Sequence, residues 1–128
     1  MSILRGIVRS TLYVRVEPNR FRLRRVENAR EVVAVSQKPF TTGRLLIGEF
    51  LPAEAALRAG MKQLRPGPAY LSDPAVVIHP LVMTEGGLSA VEYRVLLEVA
   101  HGAGARRATV WVGHVLSDGE VMEKAYAA

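Results

Sequence analysis

Apolar and polar residues alternate in the first third of the chain, which predicts β-strands there. The alternation runs through residues 12–17 and 21–26, and Pro18 and Asn19 between them favour a tight turn. A third apolar run, 32–35, predicts a third and more buried strand. The chain should therefore begin with a hairpin whose exposed face is mostly arginine, followed by another strand.

The middle of the chain changes to helical spacing. Residues 52–59 predict a helix, because proline suits the first helical position and alanine and leucine favour helices. Gly60 stands where this helix is expected to stop. The prolines and glycine within 65–74 predict an irregular connection without helix or strand.

The second half of the chain predicts a strand, a helix and another strand. An apolar run begins at Ala75, and 108–112 is a second apolar run. Between them, Ser89 and Glu92 have the spacing of a capping box, in which each residue satisfies a free backbone N–H at a helix start. A strand, a helix and a strand in this order form a parallel crossover unit.

Two helix faces can be assigned in this half. Valines at every fourth position predict the buried face of the helix that follows Ser89, at positions 91, 95 and 99. A final helix over 120–127 should pack Val121, Met122 and Ala125 inward. Trp111 is expected in the core.

Charge is distributed unevenly along the chain. The first thirty residues carry eight arginines against two glutamates, a net charge of +6, whereas the rest carries nine basic against ten acidic residues, a net charge of −1. This asymmetry indicates an anionic partner such as a membrane surface, a nucleic acid or an acidic protein, with a solvated hairpin as the alternative. The candidate surface residues are Arg5, Arg9, Arg20, Arg22, Arg24 and Arg25.

The N-terminus predicts a separate short segment. Apolar residues at 3, 4, 7 and 8 have helical spacing beside Arg5 and Arg9, which is typical of an amphipathic helix in a membrane interface; a frayed terminus is the alternative. We expect this segment over 1–11 and a single domain over 12–128. The chain has no cysteine, which fits a cytoplasmic protein and excludes disulfides and cysteine-bound metals. It has no secretory signal pattern and no run long enough to span a membrane.

Several motifs resemble a known family. They are the first strand with the residues before it at 4–16, Val-Val-Ala-Val at 32–35, His-Pro-Leu-Val-Met-Thr at 79–84, Val-Glu-Tyr-Arg at 91–94 and Ala-Gly-Ala-Arg-Arg at 103–107. In this order they resemble subdomain IA of MreB, the bacterial actin homologue that determines rod shape. The resemblance implies an α/β, RNase H-like fold. It predicts a five-stranded mixed sheet in the order 3-2-1-4-5, with helices on its faces.

The departures from that family concern catalysis. Where its first phosphate loop reads Asp-Leu-Gly-Thr, the matching positions here are Arg15-Val-Glu-Pro18. An arginine does not hold a magnesium water shell, Glu17 places negative charge at the phosphate position, and Pro18 removes an N–H donor. The family's Glu-Glu-Pro, which positions the attacking water, corresponds to 113–115, Gly-His-Val. We therefore expect a degenerate ATPase without a cofactor.

Two histidines stand where parallel sheets bind ligands. His79 and His114 each follow a strand at its carboxyl end. They are candidates for a shared metal or for acid and base roles, although no third metal ligand is evident and ordinary loop hydrogen bonds are the alternative. Together with Arg15 they are the weak candidates for anion binding. No metal site and no catalytic residue is predicted.

The leading hypothesis is a non-enzymatic, MreB-like protein in cell-shape or cytoskeletal organisation. It would act by contact with an actin-like filament protein or with itself, in the cytoplasm and peripherally at the inner membrane face through Arg5 and Arg9. One alternative is a residual nucleotide- or anion-binding enzyme. The other is a nucleic-acid-binding module on the hairpin arginines, which Tyr13 and Phe21 support poorly because two aromatic side chains are few for a stacking platform.

Overall fold

A computed structural model describes residues 9–66 and 73–127. Within these ranges it contains five strands and three helices. Their bounds are β1 Thr11–Glu17, β2 Arg20–Arg25, β3 Arg30–Val35, α1 Phe50–Leu64, β4 Ala75–Pro80, α2 Ala90–Gly102, β5 Arg107–Val110 and α3 Asp118–Ala125. Most of the predicted N-terminal segment, Arg5 included, lies outside the described residues.

The strands form one mixed sheet in the order β3-β2-β1-β4-β5. β1, β2 and β3 are antiparallel neighbours, whereas β4 runs parallel to β1 and β5 runs parallel to β4. The predicted strand order and directions are confirmed.

Alternation along β1 divides the core between the two faces of the sheet. Leu12, Val14 and Val16 lie on the face that α1 and α2 cover, which we call the two-helix face. Tyr13 lies on the opposite face, where it packs with Val77 and with residues of α3. Since α3 packs on β1, β4 and β5, it leaves the β2–β3 half of this second face open, and we call that half the open face.

The prediction that the first helix stops at Gly60 is wrong, because α1 continues to Leu64. Gly60 is buried, and a β-carbon there would lie 2.9 Å from Leu23 Cδ1 and 3.0 Å from the β-carbon of Ala34. The glycine therefore allows α1 to approach the sheet closely instead of ending the helix.

The capping box of α2 is confirmed, with Ser89 and Glu92 bonding each other's backbone N–H groups. The predicted buried face is partly wrong, since Val91 is 71% exposed and the buried positions are Leu96, Val99 and Ala100. Val91 belongs to the first turn of the helix, which is exposed, so the buried stripe begins one turn later. A second capping box, at the start of α3, was not predicted.

Two further expectations about burial are wrong. The third strand is not the more buried one, because β3 is an edge strand whose only buried side chain is Ala34. Trp111 is half-buried rather than in the core, because β5 ends at Val110 and Trp111 packs at the margin of the α3 cluster. In α3, Val121 and Ala125 are buried as predicted, and Met122 is half-buried.

Candidate functional site

The turn that joins β1 to β2 occupies the position where the resemblance places a phosphate loop. Glu17, at the end of β1, accepts hydrogen bonds from Arg20 Nε at 2.7 Å and from Arg22 Nε at 2.9 Å. Burial acts to raise the pKa of Glu17, but the hydrogen bonds from Arg22 and Arg20 outweigh it and hold that pKa below its ordinary value. An ionised carboxylate, paired with two arginines, therefore stands where the resemblance places a phosphate.

Asn19 anchors this turn to the loop that follows β3. Its backbone has a φ of 61°, in the left-handed region that asparagine tolerates. Its Oδ1 accepts the backbone N–H groups of Phe40 and Thr41, both at 2.9 Å. Its own N–H donates to Thr41 Oγ1 at 3.0 Å, and its carbonyl accepts the N–H of Ser36 at 3.0 Å. This N–H is therefore committed inside the protein and does not point toward a ligand.

His79 is buried, and both of its ring nitrogens take part in a chain of hydrogen bonds. The hydroxyl of Tyr13 lies 2.6 Å from His79 Nδ1, and the carbonyl of Gly113 lies 3.0 Å from Nε2. The Tyr13 hydroxyl also accepts the N–H of Leu116 at 3.1 Å. Since the carbonyl only accepts, Nε2 carries the proton and Nδ1 accepts from Tyr13. Both ring nitrogens are occupied, so His79 joins β1, β4 and the loop after β5, and neither nitrogen is left for a ligand.

Burial favours the neutral forms of both His79 and Tyr13. It lowers the pKa of His79, with a smaller contribution in the same direction from nearby Arg15. Burial also raises the pKa of Tyr13. A neutral imidazole and a neutral phenol match the hydrogen-bond assignment.

His114 belongs to a separate, exposed cluster. Its Nε2 lies 2.9 Å from Glu120 Oε2, and its ring meets the Trp111 ring edge-on at 5.4 Å between centroids. Lys124 Nζ lies 4.0 Å from the centroid of the same Trp111 ring. The N–H of Ser117 and then His114 lower the pKa of Glu120 to about 2. Across the described ranges, no three His, Asp or Glu side chains are grouped so that they could hold a metal ion.

Arg15 is the predicted anion candidate with the fewest contacts. It is the register partner of His79 on the neighbouring strand, and its guanidinium carbon lies 5.3 Å from the centroid of the Tyr13 ring. Its nearest carboxylate oxygen, on Glu31, is 3.9 Å away. Its Nε is buried without a hydrogen-bond acceptor among the described residues. This atom is the one unsatisfied buried side-chain donor that the described part of the chain contains.

The hairpin arginines are engaged in ion pairs. Arg24 bridges Asp118 on α3 at 2.8 Å and Glu31 on β3 at 2.9 Å, and these hydrogen bonds raise its pKa. Arg20 and Arg22 share Glu17. The open face therefore presents alternating charges rather than a free cationic stripe, which weakens the nucleic-acid hypothesis.

The placement of Arg25 on this surface is wrong. Arg25 is 5% exposed, and its Nη2 donates to the carbonyl of Arg9 at 2.8 Å. It shares the two-helix side of β2 with Phe21 and Leu23, because residues two apart in a strand point to the same face. Its role is to tie the end of β2 to the residues before β1.

A groove between the edge strand and the first helix was not predicted. It has a volume of about 810 Å³, and we call it the β3–α1 groove. It is lined by the outer edge of β3 at 33–35 and by the exposed apolar side chains Leu51, Ala55 and Ala59 of α1. The side chains of Val33 and Val35 point to the open face, because their register partners are Arg22 and Arg20. The predicted strand order already placed β3 at the edge of the sheet. The signal available in the sequence was therefore a pair of valines at alternate positions, 33 and 35, of an edge strand.

The comparison with curated proteins decides the family. The chain is 38% identical over 122 residues to YjaA, an uncharacterized protein of Escherichia coli (strain K12), and the match covers 88% of this chain and 94% of YjaA. The chain belongs to the YjaA family. No protein-family model matches it.

A solved structure supports the fold of this YjaA-family chain. A non-polymerising mutant of MamK bound to AMPPNP is similar to it with a TM-score of 0.59 and 16% sequence identity. The match covers 81% of this chain and 41% of the MamK chain, so the chain spans less than half of that actin-like protein. An actin-like fold is therefore supported, whereas neither comparison points to MreB in particular. Of the helices in the described residues, none is both long and apolar enough to span a membrane.

Proposed function

We propose that the chain is a non-enzymatic, actin-like protein that acts by contact with other proteins in cell-shape or cytoskeletal organisation. The observation that carries this proposal is the closed turn after β1. Glu17 is held there by two arginines, and the side chain of Asn19 is committed to the loop after β3. A phosphate group would meet a carboxylate at this turn, and Pro18 offers it no N–H donor. The proposal includes no cofactor.

The proposed partner is a filament of an actin-like protein or a second copy of the chain. The actin-like fold supports this choice. The fold is the one property that the likeness to MamK supplies. The β3–α1 groove supports the choice as well, since it places exposed apolar side chains of α1 beside an unpaired edge strand. The proposed location is the cytoplasm, with the N-terminal arginines at the inner membrane face.

Sedimentation tests this function and separates its two parts. At low salt we expect the chain to pellet with polymerised MreB-type filaments and, separately, with anionic vesicles. Replacing Arg5 and Arg9 with glutamine should weaken vesicle binding roughly tenfold or more, since each basic residue near an anionic surface contributes about 1 kcal/mol. The same variant should still pellet with filaments. A chain that stays in the supernatant with filaments and with vesicles contradicts the proposal.

One specific observation supports a second candidate, the binding of a small anion without hydrolysis. The Nε of Arg15 is buried and lacks an acceptor, and its nearest carboxylate is 3.9 Å distant. An inorganic phosphate or a carboxylate would satisfy this donor. Saturable phosphate binding that is lost in Arg15→Gln supports this candidate, and equal binding by both proteins rejects it.

A further inference from the structure

The outer side of β3 offers an unusually unprotected strand edge. β3 pairs with β2 on one side, and the described residues place no strand on the other. Proteins commonly protect such edges with prolines, charges or covering segments. Here the strand contains no proline, its charges are confined to Arg30 and Glu31, and Val33 and Val35 are 46% and 66% exposed. This edge is suited to pairing with another strand.

The first helix provides an apolar floor beside that edge. Leu51, Ala55 and Ala59 are exposed at every fourth position of α1 and line the groove along the outer edge of β3, on the opposite side of the sheet from the side chains of Val33 and Val35. A strand added to β3 would lie alongside this stripe. The stripe spans eight residues of the helix, or about 12 Å, so it runs beside about four residues of a strand whose six residues are about 20 Å long. The small alanine side chains allow a second helix to approach closely.

The sequence of β3 is complementary to itself in one antiparallel register. With a two-fold axis at Val33, the two Val33 residues face each other, Val32 faces Ala34, and Glu31 faces Val35 of the other copy. Arg30 then faces Ser36, so no like charges are opposed. An axis at Ala34 would instead oppose Arg30 and Lys38. An axis at Val32 would leave Val35 beyond the paired strands.

Charge also favours a second copy as the occupant. On the open face, Arg20 is the register partner of Val35. In the Val33-centred register, Glu31 of the second copy lies on the far side of Val35, two strand spacings or about 10 Å from Arg20. Within each copy Arg20 also pairs with Glu17 and Glu31 with Arg24, so across the interface these charges add a longer-range attraction between opposite signs.

We propose that two copies of the chain pair through their β3 strands about a two-fold axis at Val33, with the α1 stripes packed together beneath. The result is a continuous ten-stranded sheet with an isologous interface. This inference rests on the proposed function, because it names one of the two partners given there. It concerns self-association alone and makes no use of filaments.

Single cysteines test the pairing and its register, because the natural chain has no cysteine. In Val33→Cys the two β-carbons would be about 4.5–5.5 Å apart, close enough for a disulfide after a small shift. In Val35→Cys the two positions would be about 13 Å apart in the same register, so that variant should not cross-link. Val91→Cys, 71% exposed on α2, controls for random collision.

Under mild oxidation at micromolar concentration, Val33→Cys should form mostly disulfide-linked dimer, and the two other variants less than a tenth as much. Failure of Val33→Cys to cross-link, or equal cross-linking of all three, overturns the proposal. A preference for Val35→Cys would overturn the register.

Sedimentation of cysteine-free protein provides the second measurement. The natural chain should dimerise with increasing concentration, and Val33→Lys should weaken dimerisation at least tenfold while Val91→Lys leaves it unchanged. Thermal unfolding verifies that both variants are folded. A natural chain that stays monomeric, or a dimer that persists in Val33→Lys, contradicts the inference. No filament is present in the cross-linking and dimerisation experiments. If the chain cross-links but does not pellet with filaments, only the filament partner is refuted. If it pellets with filaments but does not cross-link, only the pairing through β3 is refuted.

Discussion

Replacing Asn19 with alanine should lower the free energy of unfolding by about 2–4 kcal/mol. The change removes the acceptor for the backbone N–H groups of Phe40 and Thr41, which are partly buried. It also forces an alanine to adopt a φ of 61°. Urea unfolding of the two proteins measures the difference.

Two matched variants separate these contributions. Asn19→Gly adopts the positive φ without strain but lacks the acceptor, so its loss should be smaller than that of alanine. Asn19→Asp keeps an acceptor oxygen and tolerates the same φ, so its loss should be the smallest of the three. If the alanine variant unfolds within about 0.5 kcal/mol of the natural chain, Asn19 does not hold the turn as described.

Replacing Tyr13 with phenylalanine should cost a similar amount, about 2–4 kcal/mol, because it leaves two buried polar groups without partners. These groups are His79 Nδ1 and the N–H of Leu116. Tyr93→Phe is the matched control, since Tyr93 is 46% exposed and should change stability by less than about 0.5 kcal/mol. Equal stability of the two variants would show that the buried chain contributes nothing.

The same hydrogen-bond chain predicts a dependence of stability on pH. Because burial lowers the pKa of His79 below its ordinary value of 6.5, the unfolded chain takes up a proton there and the folded protein does not. Stability is therefore complete above pH 6.5 and falls as the pH decreases toward the folded-state pKa. His79→Gln should lose this part of the slope. Glu17, whose pKa is lowered from 4.5, affects stability only at lower pH.

The hairpin and the parallel crossover were predictable from the sequence because they depend on local patterns, alternation in the first third and the strand-helix-strand order in the second half. The order of the strands, including the pairing of β1 with the distant β4, was predicted from the resemblance to the actin-like family. The start of α2 was equally predictable, because a capping box involves residues only three apart.

Features that depend on distant residues were not predictable. Gly60 has the residue type of a helix stop, but the nearby Leu23 and Ala34 give it a packing role instead. The bond between Tyr13 and His79 joins residues 66 positions apart, so neither sequence neighbourhood indicates it. Arg25 is a different case, because its alternation with Phe21 and Leu23 already indicated the buried side of β2, although its residue type is typical of a surface.

The central claim is that this actin-like chain binds no nucleotide through magnesium, and calorimetry tests it most directly. ATP is titrated into the natural chain with and without Mg²⁺, and full-length actin-like ATPase serves as the positive control. We predict no saturable heat that depends on magnesium. Binding near one ATP per chain that requires Mg²⁺ would contradict the account.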